Sequence, residues 1–147
     1  MSSLRLGVAQ REFTPPVGIM SGIWGAAKKF KSESIHIGLF LTAVAREDKS
    51  GAKSFIVGID LCVLGCVECA HDLLDQISEG VGVERDKILF ASSHTHAVPL
   101  PCMHRSKKEG SELIPAFREN IIVKTIEACK EAASRIEDVD VTWGYGH

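Results

Sequence analysis

Hydrophobic positions change their spacing along the chain in a way that predicts alternating strands and helices. In the first segment, Leu4, Leu6 and Val8 alternate with Arg5 and Gly7, which is the two-residue period of a strand. Later segments have either the dense apolar runs of buried strands or the three-to-four-residue spacing of helices. The predicted strands cover residues 4–13, 35–45, 54–59 and 88–91 and begin again at 139, and the predicted helices cover 61–77 and 111–136. This order predicts one layered α/β domain, residues 1–147, with a mixed β-sheet flanked by helices.

Turn and cap residues support some of these boundaries. Asp48-Lys49-Ser50-Gly51 separates the second and third strands and is typical of a hairpin loop, so these strands are predicted to pair antiparallel. Ser111 is a favourable N-cap for the second helix.

A long glycine-containing loop is predicted for residues 15–34. Ile19 and Met20 are expected to be exposed in this loop. Trp24 is either an anchor that packs on the core or a platform for a substrate.

The composition is that of a soluble globular domain. The 147 residues are 45% hydrophobic and 24% charged, and the formal net charge of −2 gives no electrostatic reason to expect binding to nucleic acid or to an anionic membrane. No apolar run is long enough to predict a transmembrane segment, and polar residues interrupt the N-terminal segment where a signal peptide needs an apolar core. Five cysteines, an odd number, are unlike a secreted disulfide framework and predict a reduced, cytoplasmic protein.

Two histidines one residue apart follow the strand at 88–91. If the backbone stays extended, His94 and His96 point the same way at an edge of the sheet, before Pro99 ends any regular structure. Neutral imidazole is the commonest protein ligand of zinc and a general base near neutral pH. The pattern therefore indicates a metal or acid–base site, and the alternative is one hydrogen-bonded loop histidine beside one exposed histidine.

Three cysteines and one aspartate allow more than one interpretation. Cys62, Cys66 and Cys69 have the C-x3-C-x2-C spacing that binds a four-iron cluster in radical SAM enzymes. The same spacing places small apolar residues on one face of the predicted helix, and Glu68 stands where that motif usually has an aromatic residue, so the helical interpretation is favoured. Asp60, at the end of a strand, either orients a ligand or caps the following helix.

Six short segments, met in a fixed order, carry a resemblance to a known family. They are Phe13-Thr14-Pro15, Ile35-His36, Ala43-Val44-Ala45-Arg46, Gly58-Ile59-Asp60-Leu61, Ser93-His94-Thr95-His96 before Pro99, and Trp143-Gly144-Tyr145-Gly146-His147. This order resembles the N-terminal part of the neutral/alkaline, non-lysosomal ceramidase family over nearly the whole chain, and the His-Thr-His loop is its most specific element.

The resemblance implies a zinc-dependent amidohydrolase that cleaves an N-acyl amide bond, in ceramide or a related lipid. It implies that His94 is a zinc ligand and that His96 is a catalytic neighbour of the zinc-bound water or the scissile amide. Zinc lowers the pKa of its bound water to about 7 and polarises the amide carbonyl. A nearby imidazole can then carry the proton to the leaving amine.

Two departures from the family pattern shape the functional expectations. The family's loop continues Ser-Gly-Pro-Gly-Gly, whereas this chain has the bulkier and stiffer Ala97-Val98-Pro99-Leu100-Pro101. The family's other zinc ligands, a histidine, a glutamate and a tyrosine, lie downstream, so family positions give only an incomplete catalytic domain. Candidate substitutes are His96, His104, His147 and Asp60. The alternatives are a non-catalytic binding or structural domain, or a homo-oligomer that covers the unburied surface or shares an active site between subunits.

Overall fold

A five-stranded mixed sheet with two helices forms the part of the chain that the computed structural model describes, residues 4–22, 24, 25, 27–102 and 106–146. The strands are β1 (Leu4–Glu12), β2 (Phe40–Glu47), β3 (Lys53–Ile59), β4 (Ile88–Ser92) and β5 (Glu137–Val139). The helices are α1 (Val67–Val81) and α2 (Ile114–Ser134), with 3-10 turns at Arg85–Lys87 and Ser111–Leu113. The strand order is β4-β3-β2-β1-β5, and only β3 and β4 pair in parallel. The predicted α/β class with a mixed sheet is confirmed.

The hydrophobic core lies between the helices and one face of the sheet. Helix α2 packs against β1, β2 and β3, and α1 packs against α2. Alternate residues of the strands meet the apolar stripe of α2, and each fully buried large side chain contributes about 1.5–3 kcal/mol. Core residues include Leu41, Ala43, Phe55, Val57, Leu73, Ile77, Phe117, Ile121 and Ala128. Neither of these helices is both long and apolar enough to cross a bilayer.

The opposite face of the sheet carries an apolar row. The strand register aligns Val8, Val44, Ile56 and Leu89 across four strands. Val8, Ile56 and Leu89 are 51%, 52% and 62% exposed. A contiguous exposed row of this kind is typical of a surface that another protein surface covers.

The first strand faces the core with its small residues. Gly7 and Ala9 are buried, whereas Val8 lies on the open face. The reason is the close approach of α2, because a Cβ atom built on Gly7 would lie 2.0 Å from the carbonyl oxygen of Ala132. A glycine in contact with a helix backbone carries no hydrophobic signal, so the alternation of larger residues does not show which face of β1 meets the core.

Two predicted boundaries at the first helix and second strand were wrong. The strand begins at Phe40, not at 35, and residues 35–39 are irregular. The helix begins at Val67, not at 61, because Gly65 adopts a left-handed φ of 104° and Cys66 is the N-cap. The helical interpretation of the three cysteines is therefore wrong, since buried Cys62 precedes the helix and Cys66 is exposed.

The hairpin prediction is confirmed, and three smaller predictions are corrected. The Asp48 carboxylate accepts hydrogen bonds from the backbone N–H groups of Ser50 and Ala52, which closes the turn between β2 and β3. Ser111 lies in the 3-10 turn rather than at the N-cap, and its hydroxyl reaches the carbonyl oxygens of Ser106 and Lys108 in the preceding loop. Ile19 and Met20 are fully buried, because their loop folds back over the core. The last strand begins at Glu137 rather than at 139 and pairs with β1.

We expect Gly7→Ala to lower the free energy of unfolding by at least about 2 kcal/mol, because the added methyl group must displace α2 from the sheet. Gly58→Ala in β3 is the matched control, since nothing lies within 4 Å of a Cβ built there. The free energy of unfolding of this control should be unchanged or up to about 1 kcal/mol higher than that of the wild type. Urea unfolding followed by circular dichroism measures both variants, and an unchanged midpoint for Gly7→Ala would contradict the close packing.

Candidate metal centre

The parallel pairing of β3 and β4 brings two loops together at one edge of the sheet. Beyond the strand ends, the N–H of Ser93 donates to the carbonyl oxygen of Ile59 at 3.0 Å, and the N–H of His94 donates to that of Leu61 at 2.9 Å. The pairing thus continues past both strands. It places the residues that follow β3 beside the histidines that follow β4.

The backbone of His94 has the strained, left-handed conformation, with φ of 60°. In this conformation its Nδ1 lies 3.0 Å from the carbonyl oxygen of Cys62, which also accepts a hydrogen bond from the Ser92 hydroxyl. Because a carbonyl oxygen can only accept, Nδ1 carries the proton in this contact. Nε2 therefore keeps its lone pair, which is the arrangement usual for histidines that bind metals.

A buried thiol completes a three-residue cluster with the two histidines. The Sγ of Cys62 lies 3.6 Å from Nδ1 and 3.9 Å from Nε2 of His94. Ligand atoms of Cys62, His94 and His96 all lie within 4.8 Å of one another. Tetrahedral zinc places sulfur and nitrogen ligands about 3.6 Å apart, so these donor atoms, now within 4.8 Å of one another, have to draw together to share one ion.

The cluster is open on one side. Cys62 is fully buried, whereas His94 and His96 are exposed to solvent. A buried thiol beneath two exposed imidazoles leaves room for a fourth ligand on the solvent side. Three protein ligands and one open position are typical of catalytic rather than structural zinc sites.

Trp24 holds the second histidine in place. Its indole ring stacks on the imidazole of His96 with 3.9 Å between centroids and 17° between planes. The indole N–H also donates to the carbonyl oxygen of His96 at 3.0 Å. The rings of His94 and His96 are 5.1 Å apart and inclined by 64°. Trp24 thus acts as an anchor between the long loop and the histidine segment.

The other sequence candidates lie elsewhere or outside the described residues. The Asp60 carboxylate accepts from the backbone N–H of Phe40 at 3.0 Å, so it closes the end of the β2–β3 pair and does not cap α1. Asp60 is also outside the Cys–His–His cluster. His104 and His147 fall outside the described residues.

The sequence did not predict the place of Cys62 in the cluster or the partner of Trp24. The available signal for Cys62 was its position just after β3, the parallel neighbour of the strand that leads to the histidines. Because of its spacing, Cys62 was interpreted together with Cys66 and Cys69 and not with the histidines. Trp24 gave no signal for its partner, because 72 residues separate it from His96.

A cleft of about 470 Å³ lies beside the loop that carries the two histidines. The histidine loop contributes Thr95, Ala97 and Pro99 to the wall of the cleft. Residues 35–40, which lead into and begin β2, contribute mainly apolar side chains. Those apolar residues include Ile35, Ile37, Leu39 and Phe40. The cleft therefore offers an apolar surface beside the histidine loop, and its wall does not include Cys62, His94 or His96.

Comparisons with known proteins give a likeness of fold. No protein-family model and no curated protein matches the sequence. The solved structure of neutral ceramidase from Pseudomonas aeruginosa superposes with a TM-score of 0.68 at 18% identity, and a ceramidase complexed with C2 superposes with 0.67 at 19% identity. In both cases the match covers 92% of this chain and 22% of the ceramidase chain. The described fold is thus similar to about a fifth of a ceramidase.

We expect His94→Gly to have a free energy of unfolding about 1 kcal/mol higher than His94→Ala, because only alanine strains the left-handed backbone at this position. The matched pair Ser92→Gly and Ser92→Ala lies in β4, where φ is negative, and should show the opposite order. Chemical denaturation measures all four variants. The same order at both positions would contradict the strained conformation of His94.

Proposed function

We propose that this chain is a zinc-dependent amidohydrolase domain that acts on N-acyl amides, with zinc bound by Cys62, His94 and His96. The observation that carries the proposal is the convergence of one buried thiol and two exposed imidazoles within 4.8 Å. The similarity of the fold to neutral ceramidase supports it. Family positions supply only His94, so Cys62 replaces a ligand that the family takes from elsewhere.

Each of the three residues has a distinct part in holding the site. The hydrogen bond from Nδ1 to the Cys62 carbonyl fixes the ring of His94 and leaves Nε2 as its ligand atom. Cys62 contributes a buried sulfur, and Trp24 limits the movement of the His96 ring. Zinc, when bound, would supply Lewis acidity toward an amide carbonyl and a water molecule.

His96 has two proposed roles that one variant separates. A ring nitrogen of His96 lies within 4.8 Å of the ligand atoms of Cys62 and His94, which supports a role as third ligand. The role implied by the family resemblance, as a catalytic neighbour that moves a proton, stays a prediction. Loss of zinc in His96→Ala supports the ligand role, whereas retained zinc with lost hydrolysis supports the catalytic role.

The adjoining cleft supports an amide with an apolar acyl group as the substrate. Ile35, Ile37 and Phe40 provide apolar surface for such a group beside the histidine loop. Val98 is fully buried and fixes that loop to the core. In the ceramidase family a glycine-rich segment stands where this chain has the bulkier, fixed residues 97–101. We therefore expect the substrate to be a small-molecule or lipid amide that differs in shape from the amide that a glycine-rich loop accepts.

A second candidate function is that of a non-catalytic domain that assembles with another copy of the chain. The apolar row of Val8, Val44, Ile56 and Leu89 favours it, because such a row is stabilised when another surface covers it. The chain spans 22% of the length of the ceramidases that it resembles. This candidate requires neither bound zinc nor hydrolysis.

We expect the purified 147-residue chain to bind about one zinc ion, measured by mass spectrometry of the metal after dialysis. Cys62→Ala and His94→Ala should each weaken zinc binding at least tenfold, because two remaining ligands hold zinc poorly. His71→Ala is the matched control, since His71 is an exposed histidine in α1 outside the cluster. Circular dichroism verifies that each variant is folded.

The same proteins are then assayed with a ceramide that carries a fluorescent acyl chain. Hydrolysis by the zinc-loaded wild type, lost in His94→Ala and kept in His71→Ala, is the expected result. Zinc bound without hydrolysis would favour a non-catalytic metal-binding domain. A folded wild type that binds no zinc would contradict the proposed function.

A further inference from the structure

Three of the five cysteines lie together at the start of α1, apart from the metal cluster. Cys66 is the N-cap and is exposed, and Cys69 is half-buried in the first turn. Cys102 packs over Gly65, because its sulfur lies 2.3 Å from where a Cβ of residue 65 would be. The loop that follows the histidines thus brings a third thiol beside the first two.

A hydrogen bond connects the side chain of Cys66 to the first turn of α1. The backbone N–H of Cys69 donates to the sulfur of Cys66 at 3.4 Å. A hydrogen bond with the Cys66 thiol, together with burial, raises the pKa of Cys69 to about 11. The pKa of Glu68 is lowered by its own backbone N–H and by the Cys66 thiol. The sulfur of Cys66 therefore lies against the backbone of Cys69, which places the two cysteines side by side in the first turn of α1.

We propose that Cys66 and Cys69 form a dithiol–disulfide redox site that exchanges with small-molecule disulfides such as glutathione disulfide. Cys-x-x-Cys pairs at the first turn of a helix suit this chemistry, because the backbone N–H groups there stabilise a thiolate. Cys66 is the exposed member and is therefore the attacking thiol. Cys69 is less accessible and is the resolving thiol.

The exchange takes place in two balanced steps. The Cys66 thiolate attacks one sulfur of glutathione disulfide, which forms a mixed disulfide and releases one glutathione thiolate. Cys69, after losing its proton to solvent, attacks the sulfur of Cys66, which forms the Cys66–Cys69 bond and releases the second glutathione. The two protein thiols are oxidised, one glutathione disulfide is reduced, and two glutathione molecules result.

The remaining cysteines provide internal controls. Cys129 is fully buried in α2, and desolvation raises its pKa to about 12, so it should not react in the folded protein. Cys62 is also fully buried. Cys102 is half-buried and near the pair, so it is the thiol whose participation has to be tested.

The test exposes reduced wild-type protein to glutathione disulfide, blocks free thiols with iodoacetamide, and digests it with a protease specific for glutamyl bonds. Cleavage after Glu68 separates residues 48–68 from 69–79, so the two peptides stay joined only if a disulfide spans the cut. The same digestion of Cys62→Ala, Cys66→Ser, Cys102→Ser and Cys129→Ser identifies the partners.

The expected result is loss of two free thiols per chain, restored by dithiothreitol, with joined peptides. The joined peptides should be absent in Cys66→Ser and present in the other three variants. No loss of thiols, a disulfide that disappears in Cys102→Ser, or one that persists in Cys66→Ser would overturn the proposal. The readout requires neither zinc nor hydrolysis, so it is independent of the proposed function.

Discussion

Two backbone hydrogen bonds, from Ser93 to Ile59 and from His94 to Leu61, determine the arrangement of the candidate site. They extend the parallel pairing of β3 and β4 beyond the strands, so the two loops leave the sheet side by side. Carboxyl ends of adjacent parallel strands are common places for binding sites, because their loops meet at one edge. In this chain the parallel pair is at the edge of an otherwise antiparallel sheet, and the cluster forms there.

The local conformation of His94 follows from this constraint. Its amide must reach Leu61 while its ring reaches the carbonyl oxygen of Cys62, and the left-handed backbone satisfies both contacts. Strained residues of this kind concentrate at functional sites. The ring of His96 is fixed separately, by stacking on Trp24 from the long loop. Elements distant in sequence therefore hold the two imidazoles, and the thiol of Cys62 lies beneath them.

Sequence patterns predicted the elements well and their boundaries less well. Dense apolar runs identified β3 and β4, and helical spacing identified α2, because each buries side chains of ordinary size. The core-facing side of β1 does not follow from the hydrophobic alternation, since Gly7 meets the backbone of α2 directly. The start of α1 was predicted at residue 61 and lies at Val67. The left-handed backbone of Gly65 prevents the helix from starting earlier, but the hydrophobic spacing in the sequence continues across this glycine.

The candidate site was predictable only in part, for a similar physical reason. Two histidines one residue apart after a strand predict a metal or acid–base site, and both lie in the Cys–His–His cluster. The prediction assumed an extended backbone, whereas His94 is left-handed with φ of 60°. Cys62 and Trp24 enter through tertiary contacts that span 32 and 72 residues. No local spacing encodes such contacts, so only the three-dimensional arrangement brings these residues to the histidines.

The proposed metal centre is tested by titration of the reduced protein with cobalt(II). Cobalt(II) takes the place of zinc, and its absorption spectrum reports its ligands. A thiolate ligand gives a sulfur-to-cobalt charge-transfer band in the near ultraviolet. If Cys62 and His94 are ligands, the band appears at one cobalt per chain in the wild type and in Cys66→Ser. It is lost in Cys62→Ser and in His94→Ala. No band in the wild type, or a band that persists in Cys62→Ser, would contradict a metal centre built from Cys62, His94 and His96.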